Sequence, residues 1–275
     1  MGLRIGTNVA SLTVQRNLQA SQQETNRSLA RLSSGQRIVN ASDDAAGLSI
    51  SQNLEAEIRG LKQAARNAND GVSFVQTAEG GLNEVSNILI RLRELGVQAG
   101  SDTIGDDERS FLDREYQNLK QEIDRIAQVT NFNGRALLNG SGDELRFQVG
   151  AHKGENDVIK YRTDEANATT GSLGIRRTGV HSKSNALDSL EQVDDAIKKV
   201  NEFRAGLGAT QNRLHSATNN LSVHIENLSD ARSRIADTDV AEEASKLARN
   251  TMLQNAGIAV LAQANATPQG ILRLL

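Results

Sequence analysis

Three features predict a mainly α fold of long antiparallel helices, packed as a coiled-coil-like bundle, with a small β-hairpin region and both termini paired at one end. The 275 residues hold one proline, Pro268, so almost nothing forbids long helices. Aromatic residues make up 3%, with no tryptophan, leaving Leu, Ile, Val and Ala to fill the interior. Such side chains suit the narrow seams between packed helices, whereas a compact enzyme core draws much of its area from rings. The third feature is apolar periodicity in both halves.

In the first half, Leu54, Ile58, Leu61, Ala65, Ala68, Val72, Val75, Ala78, Leu82, Val85, Leu89 and Leu92 follow steps of three and four. The register continues through Gly60, Gly71, Gly80 and Gly81, although each glycine costs about 1 kcal/mol in a helix. A second helix is expected over Asp106 to Val129, with Leu112, Tyr116, Leu119, Ile123 and Ile126 on one stripe. Asp106, Asp107 and Glu108 suit the positive end of its dipole. In the second half, Val193, Val200, Leu207, Leu214, Leu221, Leu228 and Ile235 recur every seven residues. The partner positions are mixed: Ile197 and Ile225 are apolar, and Arg204, Gln211, Thr218 and Arg232 are not. A seam of that kind packs in a bundle rather than as a free dimer.

Between the halves, Thr130 to Asn185 is rich in Gly, Asn, Ser and Thr. Alternation at Leu145–Val149 and Val158–Tyr161 reads as strands, with turns near Gly140–Gly142 and Gly154–Asn156. As a return loop, this stretch lets the C-terminal helix fold back on the first two. Asp43–Asp44 reads as the cap of a helix beginning near Ala45.

The ends differ from the middle. Residues 1–35 carry eight large aliphatics, Leu3, Ile5, Val9, Leu12, Val14, Leu18, Leu29 and Leu32, too few to offset the ordering of so polar a segment. Val240 to Leu275 is dominated by Ala, Gln and Asn until Ile271–Leu275. Either both ends are frayed tails, or they order when copies associate. The candidates for association contacts are Leu3, Ile5, Val9, Leu12, Leu18, Leu29, Leu32, Val240, Leu247, Ile258, Leu261, Ile271, Leu272, Leu274 and Leu275.

Several functional classes are disfavoured. A net charge of −3 with interspersed basic residues lacks the clustered charge of a nucleic-acid footprint. Zero cysteine excludes disulfides and thiolate metal sites. No apolar run reaches the ~20 residues that span a bilayer, so no membrane insertion is expected. Arg4, Asn8 and Arg16 stand where a signal peptide would be apolar, which predicts export without a cleaved signal. His152, His181, His215 and His224 form no H-E-x-x-H arrangement. Gly206-Leu-Gly208 lacks the third glycine of a dinucleotide loop. No catalytic residue, metal or cofactor is expected.

The sequence resembles bacterial flagellin. The resemblance rests on RLSSGQRIVNASDDAAGLSI (Arg31–Ile50), ARNANDGVSFVQTAEGGLNEV (Ala65–Val85), RLRELGVQA (Arg91–Ala99) and TNFNGRALLNG (Thr130–Gly140). It continues in RAGLGATQNRL (Arg204–Leu214), SRIADTDVAEEASKLARN (Ser233–Asn250) and VLAQANATPQGILRLL (Val260–Leu275). It implies an inner helical domain from residues 1–40 and 238–275, and an elongated outer one over 41–237 with a β-hairpin region at about 131–184. It also implies the structural subunit of the extracellular flagellar filament, exported through the type III apparatus for swimming motility. The partners so implied are further copies of the chain, the flagellar cap protein, hook–filament junction proteins and an export chaperone. Innate immune receptors join them, because Arg91, Glu94, Leu95 and Glu115 match positions that a Toll-like receptor contacts in recognised flagellins. Only about Ser141 to Ser184 is left for any further outer domain. The alternatives are a hook–filament junction protein and a secreted monomeric helical adhesin or immune ligand.

Overall fold

The computed structural model describes residues 7–141 and 144–272. Its elements run α1 (Val9–Ser34), α2 (Ala45–Ala99), α3 (Asp106–Val129), β1 (Asn131–Phe132), β2 (Arg135–Ala136), β3 (Glu144–Gln148), β4 (Val158–Arg162), α4 (Thr170–Leu173), α5 (Lys183–Ala236) and α6 (Val240–Leu272). The chain divides into two compact units, Met1–Ala56 with Asn227–Leu275, and Glu57–Glu226. These boundaries fall inside α2 and α5, whereas the sequence places them in the links near 40 and 238.

In the unit 57–226, α2 and α5 run antiparallel, tied by Arg93–Asp194 at 2.7 Å and Arg204–Glu79 at 4.0 Å. Helix α3 lies antiparallel to α2 as well: Arg91 reaches Glu115 at 2.8 Å, and Arg109 donates to the Ala99 carbonyl at 2.9 Å. The heptad residues Val193, Val200, Leu207, Leu214 and Leu221 are buried, the first four in one core with Val72, Val75, Leu82, Leu89 and Leu92 of α2. Ile58 and Leu61 are buried too.

Three glycines that interrupt the α2 pattern mark where other segments cross it. A Cβ on Gly60 would stand 3.3 Å from Ala151, and one on Gly71 would stand 3.0 Å from Phe147. One on Gly81 would stand 2.7 Å from Leu138 and 2.8 Å from Thr130. Gly80, one residue away, faces open space. The helix therefore tolerates weak helix formers where backbone and side chains need room.

The segment between α3 and α5 has two hairpins. β3 and β4 pair antiparallel with Phe147 opposite Ile159 and Leu145 opposite Tyr161, close to the expected runs. β1 and β2 form a shorter hairpin, closed by Asn133 at φ 50° and Gly134 at φ 78°, both left-handed. That pair is the combination a two-residue type I′ turn demands. Phe74 of α2 anchors both, its ring centroid 5.9 Å from Phe132, 5.7 Å from Phe147 and 6.0 Å from Tyr161.

The return segment 170–180 is held by polar side chains of α3. Asp124 accepts from the Thr170 amide, and Asp113 accepts from the Val180 amide at 2.7 Å. Lys120 donates to the carbonyls of Arg176 and Thr178 at 3.0 and 2.7 Å. Burial pulls the Lys120 ammonium below the usual lysine range, while Asp113 and Asp124 oppose that shift.

Candidate assembly surfaces

In the terminal unit, α1 packs along α6. The residues that close this pair are mostly small or polar. On α1 they are Ser11, Val14, Leu18, Ser21, Thr25, Ser28 and Leu32, at steps of three and four. On α6 they are Glu243, Leu247, Asn250, Gln254, Gly257, Leu261 and Ala264, with the same steps. A seam rich in Ser, Thr, Gly and Ala lets two helices approach closely, because interaxial distance follows side-chain size. Thus Leu18 lies over Gly257, where an added Cβ would stand 3.2 Å from its methyl carbon.

Polar contacts fasten the pair at intervals. Asn8 caps α1, accepting from the Ser11 amide at 3.1 Å, and donates to the Ala264 carbonyl at 2.8 Å. Gln254 donates to Gln22 at 2.6 Å. At the other end, Ser28 donates to Glu243 at 2.7 Å, with Arg31 at 3.7 Å and Lys246 at 3.5 Å from the same carboxylate. The Glu243 side chain is 5% exposed. Burial opposes its ionisation, but the Ser28 hydrogen bond and the Lys246 and Arg31 charges outweigh that and hold its pKa below the usual carboxylate value.

The links beside this cluster are ordered by backbone contacts. Gln36 bridges Asp237, Arg37 donates its amide to the Ala236 carbonyl at 2.7 Å, and Thr238 donates to the Gly35 carbonyl at 3.1 Å. Asp43 accepts from the Asn40 and Val39 amides, and Asp44 caps α2 by accepting from the Gly47 amide at 2.8 Å. The Asn40 hydrogen bond is the main reason the Asp43 pKa lies below its ordinary value, against a desolvation that would raise it. A polar cleft of about 300 Å³ opens here, lined by Arg31, Asp43, Asp239, Glu242, Glu243 and Lys246 among others. Its charges are largely paired with one another. Among the described residues, no group of three or more His, Asp or Glu is placed to hold a metal ion.

The large aliphatics singled out in the termini divide between the seam and the exposed surface. Val9, Leu12, Leu29, Val240 and Ile258 are half exposed or more, Ile258 at 57%. Leu18, Leu32, Leu247 and Leu261 are partly covered. Met252, Leu253 and Val260, which apolar periodicity does not select, are exposed as well. Leu3, Ile5, Leu274 and Leu275, and the side chains of Ile271 and Leu272, lie outside the described residues. The α1–α6 pair thus buries mainly small residues and turns many of its large apolar ones outward.

Within the helical seams, Leu54, Leu228 and Ile235 are partly covered and lie in the terminal unit. Arg91, Glu94 and Glu115 stand together on the surface, with Arg91 bonded to both acids at 3.0 Å or less. The Glu115 hydrogen bond, then Glu94, raises the Arg91 pKa. Leu95 is a correction to the expected receptor-contact set. It is fully buried in the core, because its position on α2 faces the interior of the bundle, and it offers no surface to a partner.

Comparison with known proteins follows the same outline. Residues 5–143 match the family model of the bacterial flagellin N-terminal helical region, and residues 190–275 that of the C-terminal helical region. The chain is 41% identical to flagellin of Halalkalibacterium halodurans, covering 98% of this chain and 99% of that one. It is 40% identical to flagellin of Bacillus subtilis, covering 99% and 100%. The crystal structure of Bacillus cereus flagellin superposes with a TM-score of 0.51 at 34% identity, over 57% of this chain and 88% of that one.

Proposed function

The chain belongs to the bacterial flagellin family, and from that premise we propose that α1 and α6 are the segments through which copies associate. By family it is a structural subunit that self-assembles into the extracellular flagellar filament and serves motility, and it is not an enzyme.

The observation that carries the proposal is the outward placement of Val9, Leu12, Leu29, Val240, Met252, Leu253, Ile258 and Val260 on a pair of only two helices. Apolar area left open on so thin a unit is the mark of an interaction surface. The inner element of the filament would then comprise residues 1–40 and 238–275, and the outer one 41–237. The same exposed apolar side chains of α6 suit an export chaperone before assembly, since a chaperone would cover what neighbours later cover. Cap and hook–filament junction proteins would meet the same termini at the ends of the filament. For an innate immune receptor, the candidate surface reduces to Arg91, Glu94 and Glu115. Activation of receptor-bearing reporter cells by purified monomer tests it, and silence of those cells would count against it.

Negative-stain electron microscopy of the full chain, incubated with short filament seeds, tests the main proposal. Long tubes growing from the seeds are expected. Persistent monomers under seeded conditions would contradict it.

A further inference from the structure

We propose that Phe111 of one copy seats in the aromatic cleft between the two hairpins of another, with Arg114 meeting the acidic side of the rim. The proposal rests on the reading that copies of this chain associate, and it adds a contact in the unit 57–226 to those of the terminal helices.

The cleft holds about 390 Å³ between the β1–β2 turn, strand β3 and helix α2. Its floor is made by the rings of Phe74, Phe132 and Phe147, with Leu145 beside them. Phe74 is buried, but the other three are only half-buried, so ring and methyl surface faces the opening. Phe132 and Phe147 each meet Phe74 edge to face, an arrangement that a further ring can join. At the mouth stand Asp70, Glu144 and Arg135, all exposed and none in an ion pair among the described residues.

Phe111 is the counterpart. It is the one exposed aromatic side chain among the described residues, at 62%. Arg114, one turn on in α3, lies over its ring at 5.6 Å and has no carboxylate partner among the described residues. Asp107 is exposed one turn back. A protruding ring with a guanidinium beside it combines residue types enriched where binding energy concentrates. Seating the ring brings Arg114 towards Asp70 and Glu144, and Asp107 towards Arg135. Matched charges at a rim orient the partner.

Phe111 cannot reach the cleft of its own chain. The Arg91–Glu115 and Arg109–Ala99 contacts set it level with about Val97 of α2. Asp70 and Phe74 lie far earlier on that helix, roughly 35–40 Å away at ~1.5 Å per residue. Ring and cleft therefore meet only between copies. They are different surfaces, so the contact is heterologous: each copy offers its ring to one neighbour and its cleft to another. Repetition gives an open row rather than a closed pair, as a filament requires.

Photocrosslinking in filaments tests the contact. Phe111 is replaced by the photoreactive p-benzoylphenylalanine, which keeps a ring at that position, and a minor share of such full-length copies is mixed with parent before seeded growth. The parental copies carry heavy nitrogen, so peptide mass tells links between copies from links within one. Irradiated filaments should link position 111 of one copy to residues 70–74 or 131–148 of another, and irradiated monomer should give no such link. Filaments that carry the label but link it to other segments would overturn the proposal and leave the cleft to another ligand. Links to 131–148 in the monomer would overturn it as well. Phe111→Ala should raise the critical concentration for seeded growth about tenfold, with the urea stability of the monomer unchanged, because the ring is exposed. Arg114→Asp should raise it about threefold, and Asp70→Arg in the same chain should recover most of that loss. An absent rescue, with both monomers folded by circular dichroism, would contradict the proposed pairing. Failure of the parent itself to grow from seeds is a separate result, which would remove the assembly reading and this proposal with it.

Discussion

Replacing two adjacent glycines of α2 by alanine should change stability in opposite directions. In an exposed helix interior, glycine to alanine stabilises by about 1 kcal/mol, because alanine loses less backbone entropy on folding. A Cβ added at Gly80 would meet nothing within 4 Å, so Gly80→Ala should realise about 0.5–1 kcal/mol of that gain. At Gly81 the added carbon would lie 2.7 Å from the Leu138 methyl and 2.8 Å from the Thr130 hydroxyl. Neither neighbour can move cheaply. Leu138 is fully buried, and the Thr130 hydroxyl is bonded to the Ile126 carbonyl at 2.7 Å. Overpacking of this kind costs about 1–3 kcal/mol, so Gly81→Ala should be destabilised by up to about 2 kcal/mol net of the helix gain. Urea unfolding of the full chain, followed by circular dichroism, reads both variants against the parent. Equal stabilisation by the two substitutions would refute the reasoning, since it would mean that residues 130–138 do not cross α2 at Gly81.

Other substitutions test other parts of the fold. Lys120→Met leaves the Arg176 and Thr178 carbonyls without their donor and should lower stability by about 1–3 kcal/mol in the same urea assay, with the loss concentrated in protection of amides 170–180 from exchange. Gly134→Ala forces a Cβ into a left-handed conformation and should cost about 1–2 kcal/mol, whereas Gly154→Ala, at a negative φ with open space, should be near neutral. Acidification should loosen the terminal pair. The folded-state pKa of Glu243 is depressed, so its contribution is present above the unfolded carboxylate range and is lost as pH falls through that lowered value. The helicity of the terminal pair, read by circular dichroism of the parent, should therefore decrease as pH falls below the ordinary carboxylate range, and Glu243→Gln should lack that step.

Much of the unit 57–226 is legible in the sequence because its signals are strong and local. Helix α3 begins and ends where the acidic start and the apolar stripe place it. The apolar register of α2 persists through its glycines, and the structure gives the reason: at 60, 71 and 81 the missing side chains make room for the hairpins and their flanks. The β1–β2 hairpin escapes a reading based on strand alternation, because its strands are two residues long; its signal is the turn itself, Asn133-Gly134, among the strongest short turn signals. Phe74 lies off the seam pattern because its partners, Phe132, Phe147 and Tyr161, come from a segment remote in sequence. The polar latch on residues 170–180 is beyond an apolar reading, because Asp113, Lys120 and Asp124 act on backbone groups that carry no side-chain pattern.

The terminal helices show the limit of apolar periodicity most clearly. The large aliphatics that this pattern selects divide between the seam, where Leu18, Leu32, Leu247 and Leu261 lie, and the exposed surface, and the pattern does not pick out the small and polar residues between them. The observed seam mixes Ser11, Ser21, Thr25, Ser28, Gly257 and Ala264 with Val14 and four leucines at heptad-like steps, with Glu243 as its one charge. The exposure of Val9, Leu12, Leu29 and Ile258 follows only once that seam is known.

Assembly rests on the exposed apolar side chains of α6, which lie on both flanks of its seam with α1. Leu253, Ile258 and Val260 are each a little more than half exposed, so covering them on association should contribute about 1 kcal/mol apiece. The measurement is the critical concentration for seeded filament growth by the triple variant Leu253→Gln, Ile258→Gln and Val260→Gln, alongside circular dichroism of its monomer. The account predicts a critical concentration raised by about two orders of magnitude, with monomer helicity unchanged. Filament growth at the parent's critical concentration would contradict it.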